Sequence, residues 1–280
     1  MTDTTPAQAA FHPFDQATAL RAISDGMFKG RTSDDYWNFA GPFGGVTAAT
    51  LLRAALEHPR RSGTPLSITV NFCAPVAKGE YTVAVREVRS NRSTQHWSME
   101  LLQAETGVTT LATAVFARRP ATWSHLAARM PAAPPPETIP PLPMRGMMAW
   151  LKHYQFRFVE GMPQRPAAEP RDEPGSALSH VWISETTPRP LDFLSLLAFS
   201  DTFFGRIFHV RGTIQTIGTV SMTTYFHADE NDLAAVGPTP VFGVADAHVF
   251  NKGYFDQTGQ LWAGDGRLLA TSQQIVYFRD

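Results

Sequence analysis

The segment Leu191–Phe208, LDFLSLLAFSDTFFGRIF, reads as a helix that is apolar on nearly every face, yet Asp201 lies in its middle. Burial disfavours the charged form of a carboxylate and raises its pKa, so such a group is either paired or held ready to exchange a proton. The structural reading pairs it with backbone or with Arg206. Two further polar sets are in a position to face it. In the strand pattern Thr219–His227, the residues Thr219, Ser221, Thr223 and Tyr225 alternate with Val220, Met222, Thr224 and Phe226, which predicts a polar row lining a cavity. In LLATSQQIVYFRD, Gln273 and Gln274 are adjacent and so point to opposite faces, one of them towards the core. An inward Gln beside Asp201 would complete a hydrogen-bonded cluster able to hold a water, whereas on an edge strand the pair would simply be solvated.

Other chemistries lack their residues. There is no GxSxG elbow, no GxGxxG or phosphate-binding loop and no HExxH helix. The nine histidines are scattered without metal-like spacing and are read as surface or packing residues; no metal and no cofactor is expected. Cys73 is the single cysteine, read as a small hydrophobe at a strand end with no base beside it, and its solitude excludes disulfide and CxxC chemistry. A net charge of −1, from 24 basic and 25 acidic residues, offers no field for nucleic acid. No stretch approaches the ~20 apolar residues of a bilayer span, and the start of the chain has no basic segment followed by an apolar run. A soluble, cytoplasmic protein is the expectation.

These side chains must be positioned by 280 residues, 43% apolar and 18% charged, ample for a sizeable core. The sharpest break is Pro131–Pro143, where 7 of 13 residues are proline, which predicts an extended spacer. A second Pro-rich region, Pro163–Pro174, suggests that the linker wraps the surface before the next element. Residues up to about Phe11 are expected to fray. Before the spacer the pattern predicts a short helix near Phe14–Ile23, and a buried helix over Val46–His58 announced by Pro42 and the glycines of GPFGG. Strands follow over Leu66–Phe72, Glu80–Ser90, Thr94–Glu105 and Val108–Arg118. After the spacer come a strand at Ala177–Glu185, the helix with Asp201, and strands near Gly218–His227, Phe242–Asn251, Gly253–Gln257 and Gln260–Arg279.

The order helix-then-sheet therefore occurs twice, and short fragments align. Thr69-Val70-Asn71-Phe72 matches Thr223-Thr224-Tyr225-Phe226, and Leu111-Ala112-Thr113-Ala114 matches Leu269-Ala270-Thr271-Ser272, with 42 residues between fragment starts in one half and 46 in the other. The reading is an α+β fold of two tandem repeats, each a long central helix wrapped by an antiparallel sheet. Its domains are residues 12–120, a Pro-rich linker over 121–175, and 176–280 carrying the chemistry.

With the GPFGG helix start, the sheet, the linker and then SDTFF, TVSMTTYFH and LLATSQQIVYFR, the chain resembles the TesB-type acyl-CoA thioesterases of the double hotdog fold over most of residues 30–280. The resemblance implies that an Asp, a Thr and a Gln activate water, roles that carry onto Asp201, Thr219 and Gln274. The chain departs from that pattern at Val220-Ser221-Met222, where the family often has an Asp-His pair, and residues 131–174 match nothing distinctive, so no acyl preference is implied. The first half lacks the set: its helix has no carboxylate, and Phe116 takes the place aligned with Gln274. One active centre per chain follows.

A thioester carbonyl needs an activated nucleophile and a stabilised oxyanion. Asp201 would act as general base on water, or attack directly, with Thr219 and Gln274 orienting that water. Backbone N–H groups of Gly44 and Gly45 would polarise the carbonyl, and Phe43, Phe199 and Phe203 would line an acyl tunnel. The substrate expected is an acyl-CoA in lipid metabolism, and the resemblance implies a homodimer or higher homo-oligomer. Two other functions fit the same residues. One is a non-enzymatic acyl-CoA or lipid-binding module. The other is a hotdog enoyl-CoA hydratase, which would pair its Asp with a nearby His; the next one downstream, His209, is eight residues away.

Overall fold

The computed structural model describes residues 12–144, 148–164 and 166–279. The expected fraying up to Phe11 lies outside the described residues. Pro13 starts a short helix α1, Pro13–Ala17, capped by the His12 ring, which accepts from Phe14 N–H. The sequence pattern predicted helix as far as Ile23. The helix instead stops at Thr18, whose hydroxyl bonds back to the Phe14 carbonyl, and the chain turns into β1, Arg21–Ser24, and β2, Met27–Arg31.

Helix α2, Gly44–Leu56, is buried along its length, and Thr47 and Thr50 are tolerated there because their hydroxyls donate to the carbonyls of Phe43 and Val46. Strands β3, Thr64–Phe72, β4, Glu80–Ser90, β5, Thr94–Gln103, and β6, Gly107–Ala117, follow within two residues of the predicted bounds.

The stretch read as linker has more structure than proline content suggests. Residues 131–143 run extended apart from one 3-10 turn, Pro136–Thr138. Met130, Ala133 and Ile139 cover an apolar cluster of Trp182, Phe242 and Trp262, and Trp182 Nε1 donates to the Pro134 carbonyl at 3.0 Å. Trp150, Leu151, Tyr154 and Phe156 are buried, and β7, Tyr154–Glu160, joins the sheet. Alternation at Tyr154, Phe156 and Phe158 was the overlooked signal.

The second half contains β8, Ser179–Glu185, α3, Phe193–Phe199, α4, Arg206–Arg211, and β9, Thr216–Phe226. A further helix, α5, Glu230–Val236, was not predicted. Strands β10, Val241–Asp246, β11, Phe250–Asn251, β12, Tyr254–Trp262, and β13, Leu268–Arg279, complete it. The chain turns at Ala263–Arg267 through Gly264-Asp265-Gly266, and residues 257–260, where the pattern suggested a break, lie inside β12. The long apolar segment is two helices. Asp192 and Ser195 form a reciprocal capping box that starts α3. It ends after Phe199, where the hydroxyls of Ser200 and Thr202 bond to the carbonyls of Leu196 and Phe199. Asp201 thus follows the helix end, where sequence alone placed it mid-helix.

All strands belong to one antiparallel sheet in the order β1-β2-β4-β5-β6-β3-β9-β13-β12-β10-β8-β7, with β11 on β12. The first half contributes β2-β4-β5-β6-β3 and the second β8-β10-β12-β13-β9, each with its buried helix between the first two strands in chain order. The halves join where β3 pairs with β9, Thr69 opposite Thr223, their hydroxyls 3.0 Å apart. Helices α2 and α3 pack on one another, and Ala48, Ala49, Leu196, Leu197 and Ala198 on them are fully buried.

Candidate active site

The turn after α3 sets Asp201 against the first turn of α2. A Cβ on Gly44 would lie 2.6 Å from Asp201 Oδ2, and one on Gly45 would lie 2.8 Å from the Ala198 carbonyl, so the two glycines let the helix ends touch. The Gly45 backbone favours the charged form of the Asp201 carboxylate. Gly44 borders a pocket that also contains Asp201, whereas Gly45 borders none that does. Burial pushes the Asp201 carboxyl up to about 7, against the opposing pull of its bonds from Gln274 and Gly45.

Of the two adjacent glutamines, Gln273 is exposed and Gln274 is buried. Gln274 Nε2 donates to Asp201 Oδ1 at 3.1 Å, to the Ser200 carbonyl at 3.2 Å and to Met222 Sδ at 3.5 Å. Thr219 donates to Gln274 Oε1 at 3.3 Å. Of the polar row predicted along β9, Thr219 borders the space beside Asp201, and Ser221, Thr223 and Tyr225 do not. Val276 pairs with Thr219 and Ile275 with Ser221, so Val220 is an extra residue, a β-bulge. The bulge brings Thr219 onto the inward face with Met222, Thr224 and Phe226, and leaves Tyr225 exposed on the other.

Asp201, Thr219, Gln274, Phe43 and Phe203 border one chamber of about 130 Å³. Phe43 stacks on Trp150 at 4.2 Å, and Phe203 lies over Gly243 and Gly259, where a Cβ would strike its ring. A groove of about 440 Å³ meets the chamber at Asp201 and Thr219 and carries Gly44, Phe72 and the exposed Cys73 on its walls. On the other side lies an apolar cavity of about 380 Å³, which shares Phe39, Met148, Phe204 and Phe208 with the chamber. Phe199 borders none of these spaces. It packs edge-on against Tyr154 in the core, because it precedes the turn that swings Asp201 and Phe203 outward.

Sequence reasoning missed Asn38, Trp150 and Gln257, which also border the chamber. Gln257 was signalled by its place in the buried alternation Phe255, Gln257, Gly259, Leu261. His209 borders the apolar cavity, where burial drives its pKa down to about 3, and it shares no pocket with Asp201. Among the described residues no group of three or more His, Cys, Asp or Glu is arranged to hold a metal ion. Hydrogen-bond register also revises one alignment: Gln274 lies opposite Met222 and Ala114 opposite Ile68, while Thr69 faces Thr223. If the halves correspond through that facing pair, the counterpart of Gln274 is Ala114 and not Phe116.

Models of the acyl-CoA thioesterase C-terminal domain and N-terminal domain match residues 131–278 and 33–117. The chain belongs to the acyl-CoA thioesterase family. This thioesterase is accordingly a thioester hydrolase whose family substrate is acyl-CoA. It is 42% identical to a conserved protein of unknown function with a hot dog fold from Alicyclobacillus acidocaldarius, over 96% of this chain and 98% of that one, with a TM-score of 0.88. Acyl-CoA thioesterase II TesB2 from Mycobacterium marinum superposes with a TM-score of 0.75 at 18% identity, covering 95% of this chain and 98% of its own. The tesB protein of Mycobacterium avium subs paratuberculosis gives 0.75 at 17%, with coverage of 95% and 98%. At those identities the likeness is one of fold. No curated protein matches the thioesterase. No helix among its described residues is long and apolar enough to cross a membrane.

Proposed function

We propose that Asp201, Thr219 and Gln274 are the hydrolytic centre, acting on an acyl-CoA bound between the groove and the chamber. The observation that carries this reading is the unbroken chain from the Thr219 hydroxyl through the Gln274 amide to the Asp201 carboxylate, ending at a space open to ligand. A base with a pKa near 7 is half ionised at neutral pH and still basic enough to take a proton. Asp201 removes a proton from water, whose oxygen attacks the thioester carbon. Thr219 and Gln274 hold that water through hydroxyl and amide. The oxyanion is met by backbone N–H of Gly44 in the first turn of α2, where the helix dipole favours negative charge. Collapse breaks the C–S bond, and the proton held by Asp201 passes to the departing thiolate, giving free acid and CoA.

The matching strand orders of the two halves support a double hotdog architecture, with repeats over 12–120 and 176–280 and the segment 121–175 between them. The first half supplies walls and the Gly44 donor, and the second supplies the base, so there is one centre per chain.

The test is release of free thiol from short, medium, long and aromatic acyl-CoAs by wild type and Asp201→Asn, with Cys73 controlled for in the thiol assay. Folded Asp201→Asn is expected to lose at least about a hundredfold in kcat. Binding without turnover by wild type would point to a carrier module.

A further inference from the structure

The groove that begins at Asp201 and Thr219 also carries Tyr254 and Tyr277 on its wall. These two stand opposite one another on β12 and β13, their ring centroids 5.9 Å apart in an edge-on pair, and they are 48% and 37% exposed. On its other side Tyr277 pairs with Gly218 of β9, where a Cβ would meet nothing within 4 Å, so the way from Thr219 to the rings is open. Two cations stand past the rings. Alternation along β13 puts Ile275, Tyr277 and Arg279 on one exposed face. Phe278 N–H donates to the Gly253 carbonyl, which sets Lys252, one residue further, at the level of Arg279. Lys252 turns β11 into β12 with a φ of 50°, and among the described residues it is the sole non-glycine with positive φ, a conformation that glycine enters more readily. Both cations are exposed, and neither forms a salt bridge among the described residues. The carboxylate nearest along that face, Asp256, is already engaged, 2.7 Å from the His248 ring and accepting from the backbone N–H of His248 and Val249.

We infer that Lys252 and Arg279 hold the phosphates at the nucleotide end of the carrier thiol, with Tyr254 and Tyr277 flanking the arm that leads to the thioester, and that these two cations select a nucleotide-bearing thiol over one that ends at the arm. This rests on the hydrolytic reading of Asp201. The spacing carries the assignment. Arg279 is five residues along β13 from Gln274, which bonds to Asp201, and at the rise of a strand that is roughly 17 Å. The arm of coenzyme A from its sulfur to its first phosphorus is about thirteen bonds, roughly 15 Å when extended. A thioester carbon at Asp201 therefore brings the phosphates to the end of β13. There a guanidinium and an ammonium, both without a carboxylate partner, offer charge-assisted hydrogen bonds to phosphate oxygens. The two rings supply apolar faces for the arm, and the open space at Gly218 lets it pass from one to the other.

The experiment compares kcat/KM for two thioesters of one acyl group, the coenzyme A ester and the pantetheine ester, which keeps the arm and lacks the nucleotide. Wild type is expected to favour the coenzyme A ester by about ten- to a hundredfold. With Lys252→Gln and Arg279→Gln combined, that ratio is expected to fall to within about threefold of unity. Both side chains are exposed, so the core is not at stake, and the ratio is internal to each protein, so partial loss of folded enzyme does not disturb it. Arg86→Gln with Arg92→Gln removes two exposed charges on β4 and at the turn into β5, six strands away from β13 in the sheet, and is expected to keep the wild-type ratio. A wild-type ratio below about fivefold overturns the inference. So does a preference that survives loss of both Lys252 and Arg279, and so does an equal fall in the Arg86 and Arg92 variant, which would assign the effect to net charge. Hydrolysis of both esters alike removes this inference alone, whereas no hydrolysis of any thioester removes the hydrolytic reading with it.

Discussion

Gln274 Nε2 donates both to Asp201 Oδ1 at 3.1 Å and to the Ser200 carbonyl at 3.2 Å, so one amide fixes the carboxylate and the backbone that carries it. The bond to Oδ1 favours the charged carboxylate and works against burial. Gln274→Met removes that help. The carboxyl pKa should then climb further above 7, moving the acid limb of the kcat/KM profile to higher pH, with the plateau lowered about tenfold. A limb that stays in place in the variant would show that this bond does not tune the base.

The same burial has a consequence for stability, with a definite sign. Unfolded, Asp201 ionises near its usual 3.8; folded, it ionises near 7. As pH rises between those values the unfolded chain loses its proton first, so stability is full below about 4, falls through the window, and stays reduced above 7. Asp201→Asn has no proton to lose. It should match wild type at pH 4 and exceed it at pH 8 by up to roughly 4 kcal/mol in urea unfolding. An Asn variant no more stable than wild type at pH 8 would refute a carboxylate whose burial outweighs its hydrogen bonds.

How much of this was legible beforehand differs from residue to residue. Asp201 showed in the sequence because a carboxylate in an apolar run is physically anomalous, but its location past the end of α3 depended on hydroxyl bonds from Ser200 and Thr202 that no periodicity reports. Gln274 was half legible: strict alternation in β13 required one of two glutamines to face inward, and only the fold selects which. Thr219 was placed on the cavity side but in the company of Ser221, Thr223 and Tyr225, since one extra residue at Val220 exchanges the faces beyond it and has no composition signal. Gln257 was signalled by its place in the buried alternation of β12, a polar residue among inward positions, whereas Asn38 lacked any anomaly of its own.

Gly44 is a sharper probe of helix contact than of helix propensity. Alanine is the better helix former by up to about 1 kcal/mol, which argues for stabilisation. Its Cβ, however, would lie 2.6 Å from Asp201 Oδ2 and 3.3 Å from the Phe72 ring, and the carboxylate is tied on its other side to Gln274. The contact outweighs the propensity. Gly44→Ala should lower kcat/KM at least about tenfold while leaving the melting temperature equal or lower. Full activity in this variant would mean that the helix ends do not approach as closely as the glycines allow.

Arg206 is expected to matter for the site without touching it. It is fully buried, and its guanidinium donates to the Phe204 carbonyl at 2.9 Å, the Ala177 carbonyl at 3.1 Å and the Ser179 hydroxyl at 2.6 Å, stapling the turn after Asp201 to the start of β8. Burial lowers its pKa to about 9, which says that its charge is poorly compensated by nearby anions. Two effects therefore oppose one another in Arg206→Met. Removing the ion relieves that penalty, whereas two backbone carbonyls and a hydroxyl lose their donor at roughly 1–3 kcal/mol each. The lost donors outnumber the single relieved charge, so a net destabilisation of about 1–3 kcal/mol is expected. With the turn no longer anchored, kcat should fall about tenfold, since small displacements of a base are costly. Arg206→Lys keeps a cation but cannot span three acceptors with one ammonium, and should recover stability only in part. Urea unfolding and steady-state kinetics on both variants decide it: an Arg206→Met enzyme with wild-type kcat would show that the Asp201 turn holds its place without this staple.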